Sequence, residues 1–136
     1  MSYAISGPLQ TAVFDALNAD AALATFVGSD IYDAVPAGAV PDLYVRLGSE
    51  TVRDASDGSG SGAVHFFTVS VITTTPGFAS AKIAASAVSD ALHDADLTLT
   101  RGRLVSLRFE SGAARRIDDA SARQIDLRFR ARVQDD

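Results

Sequence analysis

The chain contains no cysteine. That excludes disulfides, zinc–thiolate sites and thiol nucleophiles together, and a cytoplasmic setting is the one that fits. It also lacks any apolar run near the roughly 20 residues that a membrane-spanning helix requires. The first residues, MSYAISGPLQ, carry neither a basic leader nor a long apolar segment, so no secretory signal is expected. Imidazole is scarce, with His65 and His93 alone. His65 opens a strand pattern and reads as a packed or partly exposed strand residue. His93 follows a helical pattern, where the dipole favours a cation. Neither sits in a motif that sets a Ser or Asp beside it. Gly58-Ser59-Gly60-Ser61-Gly62 suggests a phosphate cradle, but no Lys follows and a strand pattern comes next. A Walker loop or a dinucleotide fingerprint would run into a helix. Asp54, Asp57, Asp118 and Asp119 carry the right donors for calcium without EF-hand spacing. No catalytic residue, cofactor or metal is therefore expected, and no internal repeat is visible.

What is present suits a globular chain with a sizeable core. It has 136 residues, of which 47% are hydrophobic and 21% charged, and one domain spanning 1–136 is expected. The net charge of −5 argues against a protein that grips nucleic acid through its phosphates. The total conceals an asymmetry. Residues 101–132 hold nine Arg and four acids, and the remainder holds three bases and thirteen acids. A basic end and an acidic body allow head-to-tail contacts between copies; a solvated surface of uneven charge reads equally well.

The organising stretch is residues 63–92. His65, Phe67, Val69, Val71 and Thr73 alternate with Phe66, Thr68, Ser70 and Ile72, which predicts a strand with one well-buried face. Thr75 and Pro76 then read as N-cap and first position of a helix carrying Ala79, Ile83, Ala84, Ala87, Val88, Ala91 and Leu92 on its apolar side. Upstream, Leu9, Val13, Ala16 and Leu17 predict a helix. Asp20 caps a short turn over 21–27 that Gly28 stops. Ile31-Tyr32 reads as a brief strand, and 43–47 as another, with Tyr44 and Arg46 on its outer side. The acidic Gly/Ser segment 54–62 reads as a mobile hairpin tip, since it has little apolar content to offset the entropy of ordering it. Downstream, 103–110 is a strand with Val105, Leu107 and Phe109 inward. Residues 111–120 form a polar loop with Arg115, Arg116, Asp118 and Asp119. Residues 123–133 are a strand with Ile125, Leu127, Phe129, Ala131 and Val133 on one face. Its other face sets Arg128, Arg130 and Arg132 about 7 Å apart in a ladder of like charge.

The sum is α+β: a four- to five-stranded, mainly antiparallel sheet with two helices packed on one face and a long flexible hairpin. The second face carries Thr68, Ser70, Arg108, Arg128, Arg130 and Arg132. It can meet water, an acidic surface on another subunit, or passing nucleic acid. A small ligand-binding domain or a nucleic-acid-binding regulator using this Arg-rich face is the alternative function.

The order of segments carries a resemblance. Val27-Gly28-Ser29-Asp30-Ile31-Tyr32-Asp33 is followed by Val35-Pro36 and Pro41-Asp42-Leu43-Tyr44-Val45-Arg46-Leu47. Then come the acidic Gly/Ser loop, His65-Phe66-Phe67-Thr68-Val69-Ser70-Val71, and Leu127-Arg128-Phe129-Arg130-Ala131-Arg132-Val133. Over essentially its whole length the chain resembles the tail-completion, or tail-terminator, proteins of long-tailed phages, in particular the version found in gene transfer agents. The resemblance implies a hexameric ring that caps the tail tube, stops its polymerisation and faces the head connector. Tube protein and connector protein are then the partners, with DNA passing through the channel without specific binding. No enzymatic activity, cofactor or membrane is implied. Assembly in the bacterial cytoplasm and a place at the head–tail neck of the particle are. On this reading Asp54 and Asp57 in one loop, and Arg115, Arg116, Asp118 and Asp119 in the other, contact tube or connector. Arg128, Arg130 and Arg132 contact a neighbouring subunit or line the channel.

Overall fold

In the computed structural model, which describes residues 3–58, 60–119 and 121–135, eight elements follow one another. They are α1 (Ser6–Ala19), α2 (Ala21–Val27), β1 (Ile31–Tyr32), β2 (Leu43–Asp54), β3 (Ser61–Thr73), α3 (Ala79–Leu92), β4 (Arg103–Ile117) and β5 (Ala122–Asp135). The strands form one sheet in the order β1-β2-β3-β5-β4. Every pairing is antiparallel except the short parallel β1–β2 contact. This is the expected α+β class, with three helices rather than two. Ser59, in the expected tip, and Ala120, at the end of the expected polar loop, lie outside the described residues, as do Met1 and Ser2 of the expected leaderless start.

The alternation of β3 decides the layering. Ala63, Phe67, Val69 and Val71 join Ile125, Leu127, Phe129, Ala131 and Val133 of β5 in one cluster with Leu9, Val13 and Leu17 of α1, Leu23 and Val27 of α2, and Val88 and Leu92 of α3. Phe129, fully buried, stacks on Phe67 at 5.5 Å between centroids and meets Phe109 edge-on at 5.9 Å. Those contacts add to the burial of Phe67 and Phe129, while Phe109, expected inward, keeps 38% of its surface exposed. Ala81, Ala84, Ala85 and Ala87 of α3 are all buried, so this helix lies close on the sheet. Ile83, expected on the same stripe, is 51% exposed instead. The apolar arc of this Ala-rich helix is wider than the surface it packs on, so its flank remains open.

Helix boundaries follow local chemistry in one case and not in another. Asp20 caps α2 by accepting the Leu23 N–H at 2.9 Å, and Gly28 ends that helix at a φ of 58°. Thr75 and Pro76 do not start α3. The helix begins at Ala79, without a side-chain cap, after Gly77 turns the chain at a φ of 81°. Tertiary packing of the Ala stripe, not capping chemistry, sets this start.

Two strands run longer than their patterns suggest, because each contains a bulge. The register of β2 shifts between Leu47 and Glu50, and that of β4 shifts between Leu104 and Ser106 and again between Phe109 and Ser111. A bulge adds one residue and breaks the period of two. So 43–47 is only the first half of β2, which continues to Asp54, and residues 111–117 are strand rather than loop. Leu104 takes the inward place expected for Val105, which is 46% exposed. The tip of the β2–β3 hairpin shrinks to 55–60, closed by the Asp57–Gly60 bridge. The β4–β5 turn is made by Asp118 and Asp119, both at positive φ (50° and 54°), which Asp tolerates better than most residues.

Candidate assembly interface

The helices cover one face of the sheet and leave the other bare. On that bare face the registers bring Arg46 and Arg53 of β2 together with Arg128, Arg130 and Arg132 of β5 and Arg103, Arg108 and Arg115 of β4. These are eight of the twelve basic residues of the chain. Among the described residues two carboxylates stand with them, Asp126 and, at the β4 bulge, Glu110, and Asp94 beyond the end of α3 reaches Arg108 at 4.0 Å. Four bases remain elsewhere, Lys82, Arg101, Arg116 and Arg123, against fourteen of the sixteen acids among the described residues. The predicted ladder of Arg128, Arg130 and Arg132 is thus one row of a field that spans four strands.

Each arginine is held differently. The Arg128 guanidinium lies 4.7 Å from the centroid of Phe66, and Arg53 lies 5.4 Å from the same ring. One aromatic therefore seats two cations. Arg128 also donates to Glu110 at 2.6 Å, and Arg132 donates to the Ala55 carbonyl at 3.2 Å. Arg115 pairs with Asp126 at 3.2 Å, and Ser70 and Gln124 donate to that carboxylate at 2.6 and 2.7 Å. Burial pushes the Asp126 carboxyl up, but these three donors outweigh it and hold the group below the usual carboxylate range. Arg46 and Arg130 have no ion pair among the described residues, and Arg130 stands directly opposite Arg108 in the β4–β5 register. Like charges so placed repel unless an anion separates them.

The remaining candidate residues sit at the two ends of the strands. Ser61 pairs with Asp135 at one end of β5, and Ala122 pairs with Ile117 at the other. The 55–60 tip, bounded by Asp54 and containing Asp57, therefore stands at the opposite pole from Asp118 and Asp119. The structure does not bring the two pairs of aspartates together. Among the described residues no cluster of three His, Asp or Glu could hold a metal ion. Arg115 and Arg116 adjoin the second pole but point to opposite faces of β4.

The two edges of the sheet differ as well. The first 45 residues, within which α1, α2 and β1 fall, contain five aspartates and no Lys or Arg. Along the other edge, β4 pairs on one side only, and most of its residues from Arg108 to Arg116 are exposed. Between β4 and α3 runs an open groove floored by Phe109, Ile125 and Leu127, with Lys82 on its rim. Gly112 and Ala114 face this groove in register with Leu127 and Ile125, which are buried, so the apolar surface the groove exposes is chiefly Phe109.

His65 was legible only as a strand residue, and its partner not at all. Its ring is fully buried, with Nδ1 3.0 Å from Glu50 Oε2. Tyr3 and Ser6 donate to Glu50 Oε1 at 2.7 and 2.6 Å. Burial pushes Glu50 up, yet the hydrogen bonds from Ser6, His65 and Tyr3 win and hold it below the ordinary glutamate value. The cluster ties the start of α1 to the bulge of β2. At the end of α3, His93 Nδ1 accepts the Phe109 N–H at 3.0 Å and ties that helix to β4.

Comparison with known proteins gives the following. Residues 11–134 match the family of tail completion protein gp17. Among solved structures, a chain described as "Virion of native gene transfer agent (GTA) particle" is 59% identical in sequence. The match covers 98% of this chain and 99% of that one, with a TM-score of 0.93. No curated protein matches. None of the described helices is long and apolar enough to cross a membrane.

Proposed function

This chain belongs to the tail completion protein gp17 family, and on that premise we propose that it is a structural ring protein at the head–tail joint of a phage-like particle or gene transfer agent. The whole of 1–136 acts as one domain. Six copies close a ring on the finished tail tube, stop further addition of tube subunits and offer the opposite surface to the head connector. The ring assembles in the bacterial cytoplasm and stays in the neck of the particle. Its work is positioning, and no step of it requires catalysis.

The observation that carries this reading is the full-length likeness, at 59% identity, to a chain of a gene transfer agent virion. Three features of the molecule support it. First, a closed ring needs two unlike, complementary patches on each subunit. The acidic flank of α1, α2 and β1 and the open edge of β4 beside Lys82 and Arg116 are such a pair. The apolar groove over Phe109, Ile125 and Leu127 is covered by the next copy. Second, the hairpin tips stand at opposite ends of the strands. The 55–60 tip, with Asp54 and Asp57, and the 118–121 turn, with Arg115, Arg116, Asp118 and Asp119 around it, meet tube and connector on opposite sides of the ring. Third, edges that meet neighbours and tips that meet the poles leave the sheet faces to look along the radius. Arg128, Arg130 and Arg132 then line the channel.

Negative-stain imaging of the purified protein mixed with its tube subunit tests the proposal. Tubes that carry a ring at one end and no longer grow are the expected result. Tubes that elongate at the same rate and show bare ends at saturating protein would contradict it. A monomer in the absence of tube would not, because the ring assembles on the tube end.

A further inference from the structure

We infer that the arginine face of the sheet binds the phosphate backbone of duplex nucleic acid, without regard to sequence. The net charge of −5 argued otherwise from the sequence. The fold overturns that argument, because the charge is partitioned. Among the described residues the bare face holds eight arginines and two acids, and the excess of acid lies on the helical side and at the poles. What approaches the bare face closely meets a basic surface, whatever the sum over the chain.

The state of the guanidinium groups supports the same conclusion. Arg46 and Arg130 have no ion pair among the described residues, and Arg130 stands opposite a second cation, Arg108, whose one described carboxylate partner is Asp94 at 4.0 Å. Arg53 and Arg128 lie against the Phe66 ring, at 5.4 and 4.7 Å from its centroid, which orients them before any ligand arrives. A planar guanidinium fixed in this way loses less freedom on binding a phosphate than a free side chain does. The field is also long. From the Arg115–Gln124 pair to the Arg103–Gln134 pair it extends ten residues along β5, about 33 Å at strand spacing. That is enough to follow a stretch of backbone rather than one anion.

The acidic flank of a second copy is the competing occupant, and the face is poorly made for it. The centre of a protein–protein interface is depleted of charge and rich in apolar contact. Here the centre is one phenylalanine covered by two guanidiniums. Surfaces that meet nucleic acid are more polar and far more positive than those that meet protein. With the hairpin tips at the poles and the sheet edges lateral, this face is also the one left free by the ring. The inference does not need the ring, however, since the face exists on each copy.

The test is fluorescence anisotropy of the full-length protein with labelled duplexes of about 25 base pairs and two unrelated sequences. It starts near 20 mM salt and titrates upward. Binding at about 10⁻⁶ to 10⁻⁴ M is expected, equal for both sequences. The logarithm of affinity should fall linearly with that of salt, by about 0.9 per phosphate neutralised. Arg128→Gln/Arg130→Gln/Arg132→Gln should flatten the slope by about 2.7 on the same constant. Arg46→Gln/Arg130→Gln removes two cations that have no ion pair among the described residues and leaves every described ion pair intact. It should flatten the slope by about 1.8. Lys82→Gln/Arg101→Gln removes two charges away from this face and should leave the slope unchanged. No binding at 20 mM salt overturns the inference. So does a clear preference between the sequences, or a control that weakens binding as much as Arg46→Gln/Arg130→Gln. A triple variant that binds duplex normally but loses self-association by light scattering also overturns it, by assigning the face to a second copy. A protein that binds duplex yet never caps a tube would leave this inference standing and the ring refuted; the reverse pattern would do the opposite.

Discussion

The two faces of β3 are built from alternate residues of one strand, yet they serve different ends. Phe67, Val69 and Val71 point into the helices and are buried with Phe129. Phe66 and Thr68 point away, into a field of arginine. The covered face specifies the fold through volume and shape, and the bare face specifies what the folded protein meets. A single register slip would exchange them. Substitutions on the first face should therefore cost stability and those on the second should cost association.

The sharpest break of that comparison is Phe129→Ala. It removes a fully buried ring stacked on Phe67 and edge-on to Phe109 and should lower unfolding free energy by about 3–5 kcal/mol, read by urea denaturation. A loss under 1 kcal/mol would mean that the covered face is loosely packed. Next is Glu50→Gln. It leaves buried His65 without its carboxylate partner and should cost about 1.5–3 kcal/mol by the same measurement. Gly102→Ala should cost a similar ~1–3 kcal/mol. Gly102 sits at a φ of 69°, and an added Cβ would stand 2.5 Å from the Gln134 carbonyl oxygen and 2.6 Å from Ile5 Cδ1.

The acid response sharpens the comparison further. Glu50 and Asp126 have carboxyls held below their ordinary values in the folded state. Each contributes stability that is present above the unfolded-state pKa, about 4.3 for Glu and 3.9 for Asp. That stability is lost as pH falls through the lower folded value. Thermal midpoints should fall below about pH 4, and the fall should be shallower in Glu50→Gln than in the parent. An identical acid profile for the two proteins would remove Glu50 from the account. The smallest effect should come from the bare face. Arg46→Gln/Arg130→Gln should change stability by no more than about 0.5 kcal/mol. A larger loss would make the arginine field a structural element after all.

Much of this was legible in the sequence because it rests on periodicity. The alternation of β3 and β5 and the stripe of α1 have no competing reading, and Asp20 and Gly28 mark α2 by chemistry that works locally. The rest was hidden for physical reasons. Bulges at Gly48-Ser49 and around Val105 and Glu110 break the period of two. So Arg53 fell outside the expected strands and Arg115 inside an expected loop, when both stand in strands on the arginine face. The small residues Gly112, Ala113 and Ala114 resemble a loop because they give no packing signal of their own. The Glu50–His65 pair joins residues whose meeting depends on the register of two strands, and nothing local announces it. The start of α3 was misplaced because Thr75-Pro76 is a good helix signal that the packing of Ala81, Ala84 and Ala85 overrules.

The claim that governs the whole account is that copies of this chain terminate the tail and join it to the head. The distribution of tail lengths in particles from cells lacking this chain measures it most directly. Overlong tails of scattered length, detached from heads, are the predicted result. Tails of normal, uniform length joined to heads would contradict the account.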